Sequence, residues 1–102
     1  MDTVVDRLIR YAKVYSESDY HAGRAVTPST QRQFDMGRLL VEELHGLGIE
    51  NAVLDEKCYV YASVPASPGC EHLPAIGLIA HMDTTPDMTG KDVKPRSCPT
   101  NF

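Results

Sequence analysis

The sequence predicts an α/β fold, a mixed sheet covered by helices, with elements in the order α-α-β-β-β. Three observations predict it. The run Ala75-Ile76-Gly77-Leu78-Ile79-Ala80 is small or apolar throughout, the pattern of a strand buried on both faces. Ahead of it, Phe34, Gly37, Leu40, Val41, Leu44 and Leu47 recur at helical spacing. Between these two, Val60, Ala62 and Val64 alternate with Tyr59, Tyr61 and Ser63, the period of a half-buried antiparallel strand.

The first helix opens at Thr3, with Asp6 three residues on as a capping pair. Val5, Leu8, Ile9, Ala12 and Tyr15 form its apolar face. Residues 16–27 are polar and read as a solvated loop, although Tyr20, His21, Gly23 and Arg24 within it are candidates to face a substrate. The second helix follows Pro28, with Ser29 or Thr30 as N-cap and Gln33 completing a capping box. Gly46 and Gly48 offer a left-handed stop. His45, in the last turn, complements the helix dipole and is given no part in chemistry. Ala52-Val53-Leu54-Asp55 and Tyr59 to Val64 read as two strands joined tightly at Glu56-Lys57, and residues 65–74 as a loop holding Cys70 and His72. A metal role for His72 stays open.

Composition narrows the function classes. Fourteen acidic residues against ten basic give a net charge of −4, which argues against a nucleic-acid footprint. The five Tyr and two Phe are not interleaved with basic residues, so they read as packing residues and not a base-stacking platform. No apolar run reaches the length of a membrane span. The start Met1-Asp2-Thr3 lacks the basic flank and apolar stretch of a signal peptide. Cys58, Cys70 and Cys98 are odd in number and unpaired in spacing, which suits free thiols in a cytoplasmic protein and not a structural zinc site. There is no internal repeat or low-complexity segment. At 102 residues the chain makes one modest domain.

The apolar run leads directly into His81-Met82-Asp83. Residues two apart in a strand project to the same side, so His81 and Asp83 leave the sheet edge together, where open α/β sheets place their ligands. A carboxylate beside a histidine fixes the tautomer and orientation of the ring for metal binding. The triplet is short, and an empty strand-to-loop corner is the competing reading.

The longer string Ile79-Ala80-His81-Met82-Asp83-Thr84-Thr85-Pro86-Asp87, with Gly90-Lys91 and Val93-Lys94-Pro95 behind it, resembles the peptidase T branch of the co-catalytic zinc peptidase family. Upstream, Pro28-Ser29-Thr30, Leu39-Leu40, Glu43-Leu44, Leu47-Gly48, Leu54-Asp55-Glu56 and Tyr59-Val60-Tyr61-Ala62 fall in the same order and spacing. The likeness runs from about Leu8 to Pro95. It implies that residues 1–95 are the N-terminal part of a zinc-peptidase catalytic domain from a longer, two-domain enzyme that releases the N-terminal residue from tripeptides. It also implies that His81 is a ligand of one of two zinc ions, and that Asp83 is the catalytic-site carboxylate holding its ring. The remaining ligands and the general base match no residue here: His21, His45, Glu71 and Asp87 fit none of those roles. The chain alone is therefore expected to be inactive and to bind zinc weakly. Its oligomeric state is left open.

Two departures from the family pattern stand out. Cys58 occupies a turn position where relatives have glycine, which costs about 1–2 kcal/mol if the turn needs positive φ. Residues 96–102, Arg96 to Phe102, do not resemble the family continuation, as after a frameshift with an early stop or a mis-assembled gene. A non-catalytic remnant or a small binding module is the alternative function for such a chain.

Overall fold

The computed structural model describes residues 2–99. The elements are α1 (Val4–Ala12), α2 (Gln33–Gly46), β1 (Val53–Leu54) and β2 (Val60–Tyr61). The part of the expected tail from 100 to 102 lies outside the described residues.

Helix α1 begins where the sequence places it. The Asp6 amide donates to the Thr3 hydroxyl at 3.1 Å, and the Thr3 amide donates to the Asp6 carboxylate at 2.8 Å. Those bonds to the charged form hold the Asp6 carboxyl below its usual range. The apolar face behaves otherwise than expected. Val5 and Leu8 are mostly exposed, no residue of α1 is buried, and Tyr15 lies past the helix end. The pattern specifies an amphipathic helix, but burial needs a surface to pack on.

Helix α2 starts at Gln33, three residues after the expected Thr30 cap, and Arg32 occupies the N-cap without a side-chain bond. Tight turns with amide bonds from Gln33 to Thr30 and from Phe34 to Gln31 fill the preceding stretch. The Gln33 amide group reaches the Thr30 and Ser29 hydroxyls instead of a cap backbone N–H. The C-terminus closes as a Schellman turn: Gly48, at φ +85°, donates to His45, and Ile49 donates to Leu44. Gly46 stays helical. His45 joins this end to the hairpin through a 2.9 Å bond between Nε2 and the Ala52 carbonyl.

The hairpin is antiparallel, with Val53 opposite Tyr61 and Leu54 opposite Val60. Its loop is Glu56-Lys57-Cys58, and Cys58 adopts φ +66°. This is the three-residue hairpin connection in which the last loop residue is left-handed. Asp55 pins it, its carboxylate accepting from the amides of Lys57 and Tyr59. At the open end the Asn51 side chain pairs with both the amide and the carbonyl of Ser63, extending the ladder beyond its two short strands. The core lies between α2 and this hairpin, where Met36, Ala52 and Cys58 are buried. Gly37 belongs to the same contact: a Cβ there would stand 2.7 Å from Leu54 Cδ1.

The expected third strand does not form. From Pro74 to Asp83 the chain runs without helix, turn, bend or ladder pairing, and Ile76, Leu78 and Ile79 are 89%, 93% and 100% exposed. The sheet is therefore two-stranded and antiparallel, not mixed, and the run is not buried on either face. A strand needs a neighbour for its backbone groups, and none lies alongside among the described residues. The radius of gyration is 16.5 Å, against about 12.8 Å for a compact chain of this length.

Candidate functional site

His81 and Asp83 stand at the end of the extended run. Asp83 Oδ1 lies 3.1 Å from His81 Nδ1. An ionised carboxylate only accepts, so Nδ1 carries the proton, and in the neutral ring Nε2 is the nitrogen with the lone pair. The His81 side chain is 84% exposed and that of Asp83 37%, which presents Nε2 to incoming ligands. The geometry thus brings together the two residues singled out in the sequence, and it does so without the sheet that was expected to aim them.

What positions them is the segment after α1. Ser16, fully buried, donates its hydroxyl to the Met82 carbonyl at 3.1 Å. The Thr84 amide donates to Ser16 at 3.3 Å, and the Ser18 amide donates to Thr84 at 3.0 Å. Together they make a one-residue parallel bridge between Glu17 and Thr84. Glu17 is fixed from two further sides: its carboxylate accepts from the Gly90 amide at 2.9 Å, and its carbonyl accepts from the Thr30 hydroxyl at 2.7 Å. Gly90 is required there, because a Cβ would meet Thr84 Oγ1 at 2.8 Å.

Residues 16–27 do form a loop, but its first residues clamp the site segment and are not merely solvated. No local pattern marks Ser16 or Glu17, whose partners in the site segment, Met82, Thr84 and Gly90, are more than sixty residues away in sequence. Tyr20 is brought to the following turn, its hydroxyl 2.9 Å from Thr85 Oγ1 and 3.3 Å from Asp87. His21 and Arg24 are exposed, and neither they nor Gly23 line the cleft described next.

A cleft of about 690 Å³ separates the extended segment from the helices and hairpin. Leu78 to Asp83 form one wall, and Leu40, Leu44, Tyr59 and Tyr61 are among the residues opposite. At its α1 side Glu43 accepts from Arg10 Nε and from the Tyr11 hydroxyl. Arg10 also pairs with Asp2 at 2.8 Å. The Arg10 bond holds the Glu43 carboxyl below its usual range, while burial and the neighbouring carboxylate push the Tyr11 hydroxyl up. The sequence carried a signal for this cluster, because Glu43 falls on the same helical stripe as Leu40, Leu44 and Leu47, where a charge needs a partner.

No group of three or more His, Cys, Asp or Glu side chains converges on one point among the described residues. All three cysteines are free thiols, with Cys58 buried, Cys70 half-buried and Cys98 exposed. Burial, and secondarily Asp55, pushes the Cys58 thiol up, so it stays protonated. His72 is exposed in its loop. No helix among the described residues is long and apolar enough to cross a membrane.

The chain is 50% identical over 97 residues to a protein named Peptidase T from Alkaliphilus oremlandii, covering 94% of this chain and 23% of the relative. A Peptidase T from Halothermothrix orenii matches at 50% over the same share of each chain. One from Geobacillus kaustophilus matches at 43% over 93 residues, 91% of this chain and 22% of its own length. No family profile matches the chain. This chain thus spans less than a quarter of the length of these relatives.

Proposed function

We propose that this chain, similar to peptidase T over more than nine-tenths of its length, carries the His-x-Asp portion of the metal site of a zinc-dependent aminopeptidase acting on tripeptides in the cytoplasm. The observation that carries the reading is the 3.1 Å pairing of His81 Nδ1 with Asp83, which leaves Nε2 free and exposed. The donor set fits zinc, since a neutral imidazole backed by a carboxylate is among its commonest ligand arrangements.

In this reading His81 Nε2 is a ligand of one of two zinc ions. Asp83 accepts the Nδ1 proton, fixes the tautomer and raises the basicity of the ring. Ser16 sets where the pair stands by holding the intervening Met82 carbonyl. When bound, the metal pair supplies Lewis-acid polarisation of the peptide carbonyl and activation of water. The other ligands and the general base come from the remainder of a peptidase T-like chain, so the 102 residues alone hydrolyse nothing.

The test is a chain completed with the remaining part of the Alkaliphilus relative. His81→Ala is expected to lose zinc at one position of the two, because no neighbouring side chain replaces the imidazole. Asp83→Asn should keep near-full zinc but lose about 10–100-fold in turnover, as the amide preserves shape and not charge. Undiminished turnover in Asp83→Asn would reduce the pair to a corner contact and refute the assignment.

A further inference from the structure

The loop that leaves the candidate site is closed by one side chain, that of Glu17. Its carboxylate accepts from the Gly90 amide at 2.9 Å. Gly90 is buried, and Glu17 is the only acceptor its amide meets among the described residues. The approach is close as well as bonded. A Cβ on residue 90 would stand 2.8 Å from Thr84 Oγ1 and 3.8 Å from Glu17 Cβ. The backbone of residue 90 therefore packs on the side chain that follows Asp83, and residues 84–90 fold back on their own start.

Glu17 is suited to that closure because its own place is fixed. Its carbonyl accepts from the Thr30 hydroxyl at 2.7 Å, just ahead of α2. On either side of it, Ser16 and Ser18 hold Thr84 by its amide and its carbonyl, and the Ser16 hydroxyl holds the Met82 carbonyl. These bonds all lie along one edge of residues 82–84, since backbone groups two residues apart in extended chain point the same way. A segment held by one edge alone can still twist about it, which swings the Asp83 side chain. A bond away from that edge stops the twist, and the Glu17–Gly90 bond is the buried one. The Tyr20 hydroxyl touches Thr85 and Asp87 in the same loop, but that contact is exposed and water replaces it. A buried amide stripped of its acceptor has no such substitute.

We propose that Glu17 is a positioning residue for His81 and Asp83: by holding Gly90 it fixes the direction in which Asp83 offers its carboxylate to His81 Nδ1. The geometry stands by itself, whereas its consequence for turnover rests on the zinc reading above. Held in place, Asp83 keeps the Nδ1–H tautomer and leaves Nε2 as the donor nitrogen for a metal. Released, the ring drifts to a mixture of tautomers, and the ligand-ready form is present only part of the time.

Two conservative variants separate the bond from the charge. Glu17→Asp keeps the charge but is one methylene shorter than the reach to Gly90. Glu17→Gln loses the charge but keeps an acceptor oxygen at the same reach. In the 102-residue chain, ring-nitrogen NMR shifts of His81 read the tautomer at about pH 8.5, above the ordinary imidazole value. The Nδ1–H form is expected to dominate in the parent and in Glu17→Gln, and to fall in Glu17→Asp. The Gly90 amide of Glu17→Asp should exchange about tenfold faster. Far-UV circular dichroism and the protection of the Asp55 hairpin amide should stay unchanged, which separates positioning from loss of fold. In the chain completed with the relative's remaining part, Glu17→Asp should lower kcat about tenfold, with KM and zinc content unchanged, and Glu17→Gln should restore it. A parent-like His81 tautomer in Glu17→Asp overturns the proposal, and so does a Gln variant as impaired as the Asp one. Full turnover in Glu17→Asp beside an impaired Asp83→Asn overturns it too and spares the zinc reading. Full turnover in Asp83→Asn removes that reading instead, and the tautomer result then decides the positioning role alone.

Discussion

Cys58 sits in a left-handed turn with its side chain 4% exposed, so two effects oppose each other at one residue. Glycine there would relieve about 1–2 kcal/mol of backbone strain and forfeit about 1 kcal/mol of buried side chain. The two nearly cancel, so the unfolding free energy of Cys58→Gly should differ from the parent's by less than about 1 kcal/mol in either direction. Cys58→Val is the discriminating variant. A β-branched residue is a strained outlier at positive φ, and a loss of about 2 kcal/mol is expected. A Val variant as stable as the parent would show that the turn is not held left-handed in solution. Ser16 matters for a different reason. Ser16→Ala removes the donor to the Met82 carbonyl, with an expected cost of about 1 kcal/mol. Amide exchange should report faster opening at Ser18 and Thr84, while the hairpin amide of Asp55 keeps its protection. Equal loosening at both places would mean that Ser16 supports the whole fold and not the site segment.

At the scale of elements, the bond from Arg10 to Glu43 and the one from Tyr11 to Glu43 are what tie α1 to α2, since α1 buries no residue of its own. Because the Glu43 carboxyl is held below its usual range in the folded chain, it protonates more readily when unfolded. Its contribution is therefore present above the unfolded value of about 4.3 and is lost as pH falls through the lower folded value. Chemical denaturation followed at stepped pH should show α1 loosening below about pH 4. Glu43→Gln should be less stable at pH 7 and show a flatter profile between pH 5 and 3. Tyr11 has the opposite sign: its raised value makes the folded state favour the neutral hydroxyl, a contribution lost only at high pH as the hydroxyl ionises. An unchanged acid profile in Glu43→Gln would locate the acid sensitivity elsewhere.

Among the described residues the core is Met36, Ala52 and Cys58 under one helix and one hairpin, with a site segment tethered by hydrogen bonds from Ser16, Glu17 and Ser18. On the proposed reading such a chain supplies one imidazole, that of His81, to a metal ion. Structural and catalytic zinc sites use three or four protein ligands, so the 102-residue chain should release zinc on dialysis against a mild chelator. Zinc retained at one equivalent would contradict both the single-ligand count and the expectation that the rest of the site lies on other residues.

What the sequence determined by itself was local. The Thr3 and Asp6 cap, the glycine stop after α2 and the partnership of His81 with Asp83 all depend on residues within a few positions of one another. Propensity, turn geometry and side-chain reach decide such features without distant help. The tertiary structure decided where the apolar stripes go. The same Ala75–Ala80 pattern that specifies a buried strand leaves an exposed one when no neighbour lies alongside, and the α1 stripe stays open for the same reason. Ser16 and Glu17 become the clamp of the site only through partners more than sixty residues away. Burial and strand pairing are properties of two surfaces meeting, and one segment of sequence specifies only its own side of that meeting.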